Sequence, residues 1–72
     1  MKTIIRLTSV TYAIRAQKLL ERQGMRSYIK KLASNMSEHG CGYGLEVDAN
    51  QLQQALEEIT KAGIRVVAIE EE

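Results

Sequence analysis

The sequence has no proline, no phenylalanine and no tryptophan, and it carries a single cysteine and a single histidine. One cysteine cannot close an internal disulfide, so the chain is not a stapled secreted scaffold and fits a reducing cytosol. An excess of one charge is also missing: ten Lys+Arg stand against nine Asp+Glu, a net charge of +1. So even a balance supplies no basic field for nonspecific nucleic-acid binding. No apolar run approaches the ~20 residues of a membrane span. The opening MKTIIRLTSV has too short an apolar stretch for a signal peptide, and Arg6 interrupts it. The expected compartment is the cytoplasm, with no membrane and no nucleic acid among the partners.

What is present suits one small globular domain over residues 1–72. The hydrophobic fraction of 44% argues against disorder. A chain this short buries roughly 60% of its unfolded surface. That allows one core layer between a sheet and a pair of helices and leaves little room for a deep enzyme pocket.

TIIRLT (3–8) is rich in β-branched residues and reads as a strand. Ser9 or Thr11 can cap a helix running to about Gln23, with Ala13, Ala16, Leu19 and Leu20 at helical spacing. Gly24 stops it, and the apolar Met25 follows. RSYIKKL (26–32) is a second, weakly alternating strand, and residues 33–42 form a loop of small and polar residues. YGLEV (43–47) alternates like a half-buried strand. Asp48, with Gln51 three residues on, has the pattern of a capping box, and Asn50 is the rival cap. The second helix carries Leu52, Ala55, Leu56, Ile59 and Ala62 on one face, and Gly63 ends it. RVVAI (65–69) is the last strand, and the acidic Glu70–Glu72 is expected to fray.

The order is β-α-β-β-α-β, and an internal echo supports it. Gly24-Met25-Arg26 recurs as Gly63-Ile64-Arg65, and the same offset pairs Leu20 with Ile59, Ala16 with Ala55 and Ala13 with Leu52. Two β-α-β halves of this kind predict an α+β, ferredoxin-like sandwich, a four-stranded antiparallel sheet with both helices on one face.

The echo also sorts the glycines. Gly24 and Gly63 are helix stops, whereas Gly40, Gly42 and Gly44 cluster around Cys41 in HGCGYG (39–44). A thiolate is a nucleophile, a soft-metal ligand and a carrier of transferable sulfur. Gly40 and Gly42 remove side-chain bulk on both sides of Cys41, and amides of a glycine-rich turn can hold an anion there. His39 is an optional modulator that could favour the thiolate or shuttle a proton. The competing reading is a buried cysteine acting as a small hydrophobe, with Gly42 and Gly44 serving a bulge or a tight strand entry.

CGYGLEV (41–47), after an opening strand and a helix ending AQKLLERQGM (16–25), resembles the small bacterial domains of the selenium/sulfur (Se/S) carrier protein-like family. Gly63-Ile64-Arg65-Val66 after the second helix extends the resemblance over nearly the whole chain. It implies a ferredoxin-like domain that holds sulfur or selenium on Cys41, as a persulfide or selenide, and exchanges it with donor and acceptor proteins. No other cofactor is implied. Better-known sulfur-relay carriers present a Cys-Pro pair at a helix N-terminus, where the dipole favours the thiolate. This chain has no proline, so activation must come from loop amides or His39.

Other readings stay open. Met36, His39 and Cys41 form a mixed soft-metal set without a second Cys or His. Tyr28, Lys30, Lys31 and Tyr43 could make a small stacking patch for RNA on the sheet. A noncatalytic interaction or regulatory module is the main alternative. It would pair through sheet faces or edges, homodimers included, with Arg6, Arg26, Lys30, Lys31 and Arg65 meeting acidic surfaces such as the Glu70–Glu72 tail of a neighbour. A self-contained enzyme is not expected, because no acid/base pair or nucleophile triad can be read.

Overall fold

The computed structural model of the chain describes residues 1–32 and 42–71. Its elements run β1 (Lys2–Leu7), α1 (Val10–Arg22), β2 (Tyr28–Leu32), β3 (Gly42–Asp48), α2 (Leu52–Lys61) and β4 (Val66–Glu71). The four strands form one sheet in the order β2-β3-β1-β4, every neighbouring pair antiparallel. This is the α+β, ferredoxin-like arrangement expected from the β-α-β-β-α-β order. The described residues contain no helix long and apolar enough to cross a membrane.

The pleat sends alternate residues to opposite faces. Ile5 and Leu7 from β1 join Leu45 and Val47 from β3 in a core with Ala13, Ala16, Leu20, Ala55 and Ile59 from the helices. Ala13 and Ala16 are fully buried, and side chains this small let α1 lie close on the sheet. Of the apolar face expected on α2, Ala55 and Ile59 are buried, Leu52 and Leu56 pack against the core, and Ala62 is exposed at the helix end. Gln17 Nε2 donates to the Ser27 carbonyl at 3.1 Å and ties α1 to the entry of β2.

Between the two candidate caps of α1 the structure selects Ser9. Its backbone is extended (φ −156°), and the Tyr12 N–H donates to its Oγ at 3.4 Å. Both helices then end in the same way. Met25 N–H donates to Leu20 O at 2.9 Å and Gly24 N–H to Glu21 O at 3.0 Å. Ile64 N–H donates to Ile59 O at 3.2 Å and Gly63 N–H to Thr60 O at 3.0 Å. These are two Schellman motifs, and each needs a left-handed residue. Gly24 (φ 78°) and Gly63 (φ 80°) supply it. Met25 and Ile64, one residue on, are both buried and close the motif against the core.

Three expectations are corrected. The capping box at Asp48 does not form: a 3₁₀ turn, Ala49–Gln51, precedes α2, and Asp48 makes no side-chain cap bond. Its carboxylate is drawn instead to Lys2 Nζ at 3.2 Å across the β1–β3 pair. Asn50 lies inside that turn, so the rival cap is not used either. Nor does the acidic end fray from Ile69: Glu70 and Glu71 belong to β4, opposite Ile4 and Thr3.

A Cβ added at Gly24 or Gly63 meets nothing within 4 Å, so substitution there tests backbone strain alone. Gly24→Ala and Gly63→Ala should each cost about 1–2 kcal/mol in urea unfolding, the penalty for a left-handed L-residue. The two costs should agree closely, and Asn at either position should recover part of the loss.

Candidate functional site

The face of the sheet opposite the core is set by the other parity of each strand. It carries Lys2, Ile4 and Arg6 from β1, Tyr28 and Lys30 from β2, Gly42, Gly44, Glu46 and Asp48 from β3, and Ala68 and Glu70 from β4. Three cross-strand ion pairs lie on it: Lys2–Asp48, Lys30–Glu46 at 3.0 Å and Arg6–Glu70 at 2.8 Å.

Arg6 is the unusual member. It is 4% exposed, on a strand with neighbours on both sides. Glu70 Oε2 accepts from Arg6 Nε at 2.8 Å and lies 2.8 Å from Nη2, so one carboxylate oxygen takes that edge of the guanidinium. Nη1 is buried and has no hydrogen-bond partner among the described residues. A buried donor left unsatisfied costs about 1–3 kcal/mol.

The neighbouring strand makes room for this group. Gly44 is the register partner of Arg6, and Gly42 lies two residues along β3 on the same face. A Cβ at Gly42 would come within 3.3 Å of Arg6 Nη1 and 3.8 Å of the Leu7 carbonyl. On the other side, the β1–β4 register slips between Arg6 and Leu7: Arg6 pairs with Ala68 and Leu7 with Val66. Val67 is therefore an extra residue, a bulge of the kind that bends a strand and re-aims its side chains. At this end of the sheet a pocket of about 490 Å³ opens, lined by Arg6, Leu7, Thr8, Gly42, Arg65, Val66 and Val67.

The candidate site residues named from the sequence divide here. Gly42 is buried, and it is the first residue of β3 rather than the last of a loop. His39, Gly40 and Cys41 lie outside the described residues, as does Met36 of the mixed metal set. The segment that carries them leaves β2 at Leu32 and re-enters at Gly42, and these two residues are register partners beside the pocket. Cys41 immediately precedes Gly42 in the chain.

Two further expectations fail on geometry. Tyr28 and Lys30 share the face opposite the core, whereas Tyr43 has the opposite parity and packs against the core. The four residues Tyr28, Lys30, Lys31 and Tyr43 therefore do not form one stacking patch. Arg6 does not wait for a neighbour's acidic tail, because it is paired with Glu70 of its own chain. By type alone Arg6 groups with the surface cations. The signal that sets it apart is its place as the one charge in TIIRLT, a run otherwise fit for a central strand.

The Arg6–Glu70 pair generates a stability prediction. Glu70→Gln leaves the buried guanidinium with a weaker acceptor and should cost about 1–2 kcal/mol, less than a fully buried pair because the Glu70 side chain is 44% exposed. In a double-mutant cycle with Arg6→Met, the two losses should fail to add, with a coupling of about 1 kcal/mol or more by urea unfolding. Strict additivity would mean that the pair contributes nothing.

No curated protein and no solved structure is significantly similar to the chain. A family model described as "Putative Se/S carrier protein-like" matches residues 2–71. That span takes in every strand and helix of the fold, both Schellman stops and the Cys41-Gly42 pair. The chain belongs to this Se/S carrier protein-like family.

Proposed function

We propose that the protein is a thiol carrier and that Cys41 is the point at which sulfur or selenium is attached. The observation that supports this most is the setting of Gly42. The residue bonded to Cys41 lines a pocket that also contains the Arg6 and Arg65 side chains. Cations beside a cysteine favour the thiolate and the more acidic persulfide or selenide built on it. Glu70 offsets part of the Arg6 charge, whereas Arg65 is exposed and makes no ion pair among the described residues. Membership of the Se/S carrier protein-like family supports the same chemistry.

The transfer needs no outside oxidant. The Cys41 thiolate attacks the outer sulfur of a donor protein's persulfide. A new S–S bond forms at Cys41, the donor's own S–S bond breaks, and the donor cysteine leaves as a thiolate. Delivery to an acceptor thiolate is the same step in reverse, and a selenium atom in the outer position follows the same path. Gly40 and Gly42 would give the donor's active site access to the sulfur, and His39 would assist in moving the proton. The protein carries the group between partner proteins and catalyses no turnover by itself. A reducing cytoplasm keeps the thiol free for loading.

The test is chemical. In the folded protein Cys41 should react with alkylating reagents at a rate close to that in denaturant. Incubation with a cysteine desulfurase and cysteine should add one sulfur by intact mass, and Cys41→Ser should abolish the adduct. His39→Ala should slow loading without preventing it. Reaction of Cys41 only after unfolding would sink the carrier reading and leave the noncatalytic interaction module in its place.

A further inference from the structure

Several features compete for a second role. A groove beside α1 collects Arg15, Lys18 and Arg22, but these are ordinary solvated side chains of a helix face. Tyr28 and Ile69 are exposed on the two edge strands, with nothing that identifies what would cover them. The pocket at the β4 bulge differs in kind, because a nearly buried guanidinium with an unused donor borders it.

We infer that this pocket is a binding site for a small tetrahedral oxyanion of the phosphate or sulfate class. The inference goes beyond the carrier reading and does not need Cys41. Its polar side chains are all donors or donor-capable. Arg6 lines the pocket, its Nη1 is a buried donor without a partner among the described residues, and its other edge is held by Glu70, so the guanidinium is fixed before a ligand arrives. The side chain of Thr8 continues from the end of β1, and that of Arg65 from the start of β4. Three donors, two from the end of β1 and one from just before β4, suit an anion with several acceptor oxygens, which a planar carboxylate does not match as well. Gly42 serves the site by omission, since a Cβ there would stand 3.3 Å from Nη1. Val66 and Val67 add apolar lining that strengthens the field of the charges beside it, and Leu7 borders the pocket while its side chain lies in the core. A volume of about 490 Å³ admits such an anion with bound water or with a small organic substituent. Glu70 is the carboxylate paired with Arg6, and it engages the opposite edge from Nη1.

The experiment is a titration of the full chain with sodium phosphate at constant ionic strength, followed by amide NMR. The expected result is a saturable shift confined to Thr8, Gly42 and Arg65 and their neighbours, with sulfate giving the same pattern and acetate much weaker binding. Thr8→Val and Arg65→Gln change partly exposed residues and should each weaken phosphate by about threefold or more. Gly42→Ala should weaken it by about tenfold if folded, and Lys18→Gln, in the separate basic groove, should leave it unchanged. Unsaturable shifts spread over surface cations would overturn the site. So would loss of binding in Lys18→Gln with retention in Thr8→Val and Arg65→Gln, or acetate binding as tightly as phosphate. Cys41→Ser should bind phosphate normally, which separates failure here from failure of the carrier chemistry.

Discussion

A guanidinium held almost out of solvent on the middle of a sheet is the constraint that most of this structure answers to. Removing such a charge from water costs several kcal/mol unless an acceptor is placed against it. Arg6 has its acceptor only because β4 continues past Ile69 to Glu70. On the facing strand Gly42 leaves space beside Arg6 Nη1, and Gly44 is the register partner of Arg6. The bulge at Val67 keeps Ala68 and Val66 on the correct faces on either side of the slip. The acidic end of the chain and two glycines alternating within a strand look unrelated in sequence. Both are explained by one buried side chain.

The two halves of the fold are alike where helices must stop. They share a left-handed glycine, a pair of reversed hydrogen bonds and a buried apolar residue. Past the stop they diverge. Arg26 and Arg65 occupy equivalent places in the echo, each two residues past its glycine. β2 pairs only with β3, whereas β4 pairs only with β1, the strand that carries Arg6. The second of the two equivalent arginines is therefore the one brought beside the buried guanidinium. A repeated motif has been used once for its fold alone and once for its fold and its charge.

This division explains what could be read from the chain and what could not. Helix stops and apolar faces are local, and the residues that form them announce themselves: Leu20 and Ile59, Gly24 and Gly63 and the strand order were all legible. The failures came from partners distant in sequence. Asp48 is well placed to cap α2 until β1 brings Lys2 against it. Glu70 resembles a solvated tail until Arg6 stands across from it, 64 residues away. Tyr43 and Tyr28 look like a pair until the register fixes their parities. Of the candidate site residues, Gly42 is the one among the described residues. A Cβ at Gly42 would press on Arg6 Nη1, a neighbour brought there only by the β1–β3 register.

That reason bears on how the Cys41-Gly42 pair should be weighed. Gly42 does not have the left-handed backbone of Gly24 and Gly63. It is constrained by the close approach of a side chain from the next strand. The packing of β3 against β1 therefore favours a residue without a side chain here for a reason that does not involve Cys41. Cys-Pro carriers rely on a helix N-terminus, whereas the cations that line the pocket at the entry of β3 are the guanidinium groups of Arg6 and Arg65. An arginine keeps its charge at every physiological pH. On the proposed carrier reading, a thiolate favoured by such groups would depend little on the protonation of His39, and Arg6 and Arg65 would matter more to Cys41 than the histidine does.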